Sequence, residues 1–190
     1  MFLNLGVKSV TMDEIAAELG ISKKTIYAHF PTKVRLIEAT AIYVFYQINE
    51  GVEKIREKNY DPLEELYYIK EFACAHLKDE KSSPQHQLQK YYPKIASTVR
   101  LKQKQMLEEI TIENLQKGIR QDYYRSDINI EFISRIYFIG ILGIKDRDLF
   151  EEVKFSTIEV TNMHLEYHLR AIVSPKGLRS EEHTSELQSP

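Results

Sequence analysis

Between Thr11 and Pro31 the chain crowds two helix starts, two helix stops and a glycine together, and few arrangements satisfy them all. Met12, Ile15, Ala16 and Leu19 follow the i, i+3, i+4, i+7 rhythm of one helical face and predict a helix over Met12–Leu19. Thr11 and Glu14 are spaced as a capping box: the hydroxyl takes a free backbone N–H and the carboxylate reaches back. Gly20 takes the left-handed conformation that ends a helix at little cost. Ser22 suits the N-cap of a second helix, Lys23–Phe30, which Pro31 stops. A helix-turn-helix needs a small residue where its helices approach, a turn residue tolerant of positive φ, and an apolar anchor facing back. Ala16, Gly20 and Ile26 stand at those offsets. Met12–Pro31 therefore reads as a helix-turn-helix. The plainer alternative is a helical hairpin with a solvated basic face.

The outward face of the second helix decides between them. Lys23, Lys24, Lys33 and Arg35 lie between Ser22 and Arg35 with no acidic residue among them. The whole chain carries a formal charge of -2, so this gap in acids is local. Lysine and arginine supply salt-dependent attraction to phosphates. Thr25, Tyr27 and His29 alternate with the apolar anchors and offer hydrogen bonds to phosphates or base edges. Ser22 sits where a helix N-terminus presents free N–H groups.

The stretch TMDEIAAELGISKKTIYAHFPTKVRLIEA resembles the DNA-binding domain of TetR-family transcriptional regulators. The match runs from Thr11 through Ile15, Ala16, Gly20, Ser22, Thr25, Tyr27, His29, Phe30 and Lys33 to Leu36. The resemblance implies that Lys23–Phe30 enters the major groove, with Lys23, Lys24 and Thr25 nearest the bases. It implies that Tyr27, His29, Lys33 and Thr11 hold phosphates, and that Ile15, Ala16, Ile26 and Phe30 are core. It also implies a homodimer, a C-terminal helical domain that binds a small molecule, and dimerisation through the last two long helices. LQKYYPKI and HLRAIVSPKG look like stretches of such regulators. The family has a full helix before the motif, where this chain has Met1–Gly6. The expectation is a truncated chain whose Ile15, Leu19 and Phe30 lose partners and which binds DNA poorly or not at all.

The rest of the chain is poor in Gly and Pro and shows no sustained strand alternation, so the fold class expected is all-α. Thr32 caps a helix from Lys33 to about Lys58, and Asp61-Pro62 starts another with Leu63, Leu66, Ala73 and Leu77 on one face. Ser82-Ser83-Pro84 breaks it. A short helix over Gln85–Tyr92 and a long one to about Tyr123 follow, the latter with Leu107, Leu115 and Ile119 in register. Ser126 and Asp127 are expected to cap Ile128–Ile144, where Gly140 and Gly143 permit either close helix contact or a kink. Asp148 with Glu151 is expected to open a last helix to about Arg170, carrying Ile158, Leu165, Leu169 and Ile172. The expected domains are residues 1–58, 59–177 and a disordered tail, 178–190. That tail reads like translated adaptor sequence. Residues 128–144 and 148–170 are the expected dimer helices.

Other features exclude more than they indicate. Cys74 is the single cysteine, so no intrachain disulfide or thiolate zinc site exists; it reads as a small core residue. The apolar run Ile136–Ile144 is too short to span a membrane, and the chain is expected to be cytoplasmic. His164 and His168 share a helix face at metal-binding spacing, but no third ligand stands nearby, so a surface or dimer contact is preferred. No metal, cofactor or enzymatic motif emerges. The aromatic residues Tyr67, Phe72, Tyr91, Tyr92 and Tyr137 are candidates to line a pocket for an apolar or aromatic effector, though such residues are also ordinary core. The reading is a ligand-responsive DNA-binding regulator, a repressor of palindromic double-stranded DNA sites. The alternatives are a helical interaction module without DNA binding, or a helical metal protein or enzyme using His164 and His168.

Overall fold

A computed structural model describes residues 1–75, 84–144 and 155–179. Its regular structure there is helical: α1 (Phe2–Leu5), α2 (Met12–Leu19), α3 (Lys23–His29), α4 (Lys33–Arg56), α5 (Pro62–Ala75), α6 (Pro84–Tyr91), α7 (Pro93–Arg120), α8 (Ile130–Ile144) and α9 (Thr157–Ile172). One antiparallel bridge joins Tyr124 and Val173, and residues 175–179 add a helical turn. That turn carries order two residues into the stretch expected to be a disordered tail. Residues 180–190 lie outside the described residues, as do Leu77, Ser82, Ser83 and the expected cap Asp148–Glu151.

Two compact units form, and both are discontinuous: Met1–Glu50 with Ala75–Gln103, and Gly51–Cys74 with Lys104–Pro190. The expected division lay at residues 58–62; the breaks between these units fall inside α4, at the end of α5 and inside α7. The reason is length: helices of 24 and 28 residues outrun one small core, so each gives a stretch to both units.

The first unit packs Val10, Met12, Ile15, Ala16 and Ile26 of the motif with Ile37 of α4, Leu88 of α6 and Ile95 of α7. Phe2 and Val7 are buried in the same core, and Phe30 lies half-buried against it. Of the three residues expected to lack partners, Leu19 is 62% exposed, but Ile15 is buried in this core and Phe30 is half-buried against it.

The second unit is built on Leu63 and Leu66 of α5, Leu115 of α7, Tyr137 of α8 and Leu165, Leu169 and Ile172 of α9. The inward face of α5 differs from expectation: Tyr67, Lys70 and Cys74 are buried while Ala73 is exposed. Ile158 of α9 is exposed and Val160 is buried instead. Beneath them runs a polar network that no periodicity announced. The Asn114 amide donates to the Pro62 carbonyl and to Glu65 Oε1, both at 2.9 Å. The Tyr124 hydroxyl lies 2.9 Å from Asn114 Oδ1, and Lys117 reaches Glu65 Oε2 at 2.8 Å. Every member is satisfied, which is what makes a buried polar group tolerable.

The caps of the later helices also shift. α8 opens at Ile130, where Asn129 Oδ1 accepts from the Phe132 N–H at 2.9 Å, so Asn129 and not Ser126 or Asp127 ends that helix. α9 opens at Thr157 on a capping box of Ser156 and Glu159. Of the two glycines offered for helix contact, Gly140 makes one: a Cβ there would overlap the His164 imidazole. His164 stacks on Tyr137 and His168 packs against it at a tilt, with ring centroids 5.3 and 4.3 Å away. His168 is buried, so the surface reading fails for it. His164 Nδ1 and His168 Nε2 have no hydrogen-bond partner among the described residues. Burial, then the neighbouring His164, lowers the His168 pKa to about 4. Among the described residues no three His, Cys, Asp or Glu side chains gather as a metal set.

Candidate nucleic-acid interface

The motif folds as its local chemistry dictates. Glu14 Oε2 accepts from the Thr11 backbone N–H at 2.7 Å and from the Thr11 hydroxyl at 2.9 Å, while the hydroxyl oxygen accepts from the Glu14 N–H at 3.2 Å. These bonds to Thr11, backbone first, hold the Glu14 carboxyl below the usual carboxylate range. Gly20 closes α2 at φ 63 and ψ 28, its N–H reaching back to the Ala16 and Ala17 carbonyls. A residue with a Cβ is strained in that left-handed conformation. Ser22 then caps α3: its Oγ accepts from the Thr25 N–H at 3.0 Å and lies 2.8 Å from the Thr25 hydroxyl. Phe30 closes α3 in an extended conformation before Pro31.

With Ile26 turned into the core, the remaining positions of α3 face outward. Ser22, Lys23, Lys24, Thr25, Tyr27 and His29 are all exposed. Apart from the Ile26 side, this short capped helix is open to solvent, at the size that the major groove of double-stranded DNA admits. Lys24 and Thr25 lie near its N-terminus. Lys23 is partly spoken for, since its ammonium pairs with Asp13 at 2.9 Å, and the hydrogen bond to Asp13 raises its pKa. Arg35 pairs with Glu38 one turn along α4.

A second group forms at the start of α4. The Lys33 ammonium donates to the Lys8 carbonyl at 3.1 Å, close enough to Glu14 to help hold that carboxylate ionised. Lys33 and the Thr11–Glu14 box therefore meet at one edge of α2. Thr11, expected at the phosphates, spends its hydroxyl proton on Glu14 and serves first as a cap. Lys8 and Asp13 were not singled out by sequence reasoning. Lys8 lies in the loop before the cap, and Asp13 reads as an ordinary first-turn acid.

Residues 1–40 match the family model of the bacterial regulatory proteins of the tetR family. The N-terminal domain is a TetR-family domain. Among curated relatives, this region is similar to the nucleoid occlusion factor SlmA of Vibrio vulnificus, with 24% identity over 70 residues, 37% of this chain and 36% of that protein. The SlmA of Photobacterium profundum is 28% identical over 64 residues, 34% of this chain and 33% of that one. The chain thus spans about a third of the length of the curated relatives it matches. The TetR-type architecture extends further than these alignments. A transcriptional regulator from Cytophaga hutchinsonii superposes with a TM-score of 0.77 at 21% identity, covering 91% of this chain and 93% of that one. A regulator from Saccharomonospora viridis, solved with choline, gives 0.72 at 19% identity over 91% and 92%. The fold is therefore all-helical, a TetR-type helix-turn-helix followed by a helical bundle. The family model matched by residues 1–40 is one of bacterial regulatory proteins.

The five aromatic candidates for a pocket separate. Tyr67, Phe72 and Tyr137 belong to the second unit, Tyr91 and Tyr92 to the first. Tyr67 and Tyr137 are buried. Phe72 lies against Gly51, where a Cβ would overlap its ring. Tyr92 packs on the first core. Tyr91 is exposed and lies beside lysines.

Proposed function

We propose that the protein is a DNA-binding transcriptional regulator, a homodimer whose two α3 helices read the halves of a palindromic site in successive major grooves. The single observation that carries the reading is the outward face of α3, exposed from Ser22 to His29 apart from Ile26 and fixed by the Gly20 turn. Lys23, Lys24 and Thr25 meet base edges in this reading, while Ser22, Tyr27, His29, Lys33 and Thr11 meet phosphates. Dimerisation through α8 and α9 is supported by apolar side chains left in solvent: Phe132, Ile136 and Ile139 on α8, and Ile158, Met163 and Tyr167 on α9. On α8 these recur at i, i+4 and i+7, a stripe suited to a second copy. The protein acts in the cytoplasm as a repressor, and a small apolar or aromatic effector in the second unit, near Tyr67, Phe72 and Tyr137, releases it from DNA. Release requires the effector to bind the two states of the dimer with different affinity.

Fluorescence anisotropy on DNA flanking the protein's own gene tests the DNA-binding core of this reading. The expected result is salt-dependent, sequence-selective binding that the Tyr27→Ala, Lys33→Ala double variant weakens at least tenfold, on the order of one charge-assisted contact. Sequence-selective binding unaffected by the double variant would overturn the assignment of α3 and the start of α4.

A further inference from the structure

We infer that a second basic surface, formed by Lys8 before α2, Lys90 and Tyr91 at the end of α6 and Lys94 at the start of α7, grips the DNA phosphate backbone outside the groove read by α3. This inference rests on the DNA-binding reading above and extends it to residues far from the motif.

The geometry is a convergence of like charges. The Lys8 ammonium stands 4.7 Å and the Lys90 ammonium 5.6 Å from the centroid of the same ring, Tyr91. That ring is 39% exposed. Lys8, Lys90 and Lys94 are exposed, and among the described residues none of the three forms an ion pair. The tyrosine face attracts Lys8 and Lys90 weakly and cannot cancel the repulsion between them. A polyanion laid across the ring would relieve it, and the duplex backbone offers a dense row of such charges.

Position links the cluster to the candidate interface. The loop carbonyl of Lys8 is the acceptor for Lys33, the residue read as a phosphate contact at the start of α4. The Lys8 loop therefore borders both groups, and a backbone held at Lys33 passes by Lys8.

Charge segregation points the same way. Residues 81–107 contain Lys81, Lys90, Lys94, Arg100, Lys102 and Lys104 and no Asp or Glu. The first unit, residues 1–50 and 75–103, holds eleven Lys and Arg against seven Asp and Glu, a net charge of +4. The second unit holds fifteen against twenty-one, a net charge of -6. The chain's overall charge of -2 conceals one basic unit and one acidic one. Long-range attraction to DNA follows the local field and not the total.

Because phosphate contacts carry no sequence information, a ~30-bp duplex of arbitrary sequence is a sufficient probe. The full chain is titrated against it by fluorescence anisotropy from about 50 to 200 mM NaCl, the range over which phosphate contacts change affinity most visibly. The Lys8→Gln, Lys90→Gln double variant is expected to lower the slope of log affinity against log salt by about two and to weaken binding roughly tenfold or more at low salt. Lys8→Arg, Lys90→Arg should keep the wild-type slope, which separates lost charge from a disturbed fold. A double glutamine variant that melts like wild type and keeps its slope, while Lys24→Gln lowers it, overturns this surface and leaves the proposed function standing. A wild-type chain that binds no duplex at any of these salt concentrations overturns both.

Discussion

Lowering the pH should unfold this protein through one buried imidazole more than through any other histidine among the described residues. His168 lies on α9, 6% exposed, its ring 4.3 Å from that of Tyr137 on α8 and its Nε2 without a hydrogen-bond partner among the described residues. The groups that bear on this pair are His164 from the same helix and Tyr137 from α8, with Cys74 of α5 acting on Tyr137. None of them brings a negative charge to a protonated His168, and burial lowers its pKa from 6.5 to about 4. The unfolded chain therefore binds a proton that the folded chain refuses. Stability is intact above the unfolded value of about 6.5, falls with pH below it, and stops falling once the folded imidazole titrates. The loss works out at about 2 kcal/mol between pH 7.5 and 5, and about 3 kcal/mol by pH 4. At an m-value of about 2 kcal/mol per molar, the urea midpoint moves by roughly 1 M between pH 7.5 and 5. Acidification also strips carboxylates of their partners, so the measurement is a difference. Urea unfolding followed by circular dichroism is run across this range for the wild type and for His168→Phe, which keeps an aromatic ring on Tyr137. The variant should be as stable as the wild type or more so at pH 7.5, because an unpaired buried nitrogen is gone. It should also lose most of the excess pH slope. Parallel curves for the two proteins would refute the reasoning, since they would mean that His168 accepts its proton in the folded state.

Two further outcomes follow from the local geometry. Gly20→Val puts a β-branched side chain at φ 63 and should cost about 1–2 kcal/mol in thermal unfolding; it should also weaken DNA binding, since the turn fixes the angle at which α3 emerges. Asn114→Ala removes the partner shared by Tyr124, Glu65 and the Pro62 carbonyl. It should destabilise the second unit by about 2–4 kcal/mol in urea unfolding, while Tyr124→Phe, which leaves Asn114 its other bonds, should cost only about 1 kcal/mol.

The sequence by itself determined the recognition element. Thr11, Glu14, Gly20, Ser22 and Pro31 act on backbone groups within four residues of themselves, so α2 and α3 follow from local chemistry with little help from the rest of the chain. Where several capping side chains lay close together before α8, the local signal was degenerate. Packing of the helix selected Asn129 over Ser126 and Asp127. What only the tertiary structure decided depends on residues distant in the chain. Leu19 carries the apolar rhythm of its helix, yet no partner reaches it. Lys70 and Asn114 break the rhythm of theirs and are buried, because Asn162, Glu65 and Tyr124 meet them from other elements. The basic cluster at Tyr91 arises because folding brings Lys8 to α6, some eighty residues later in the chain. The separation of a positive unit from a negative one has the same origin: charge is summed along a sequence, but a field is felt in space, and long helices passing through both units put residues 75–103 with the motif and residues 51–74 with the bundle.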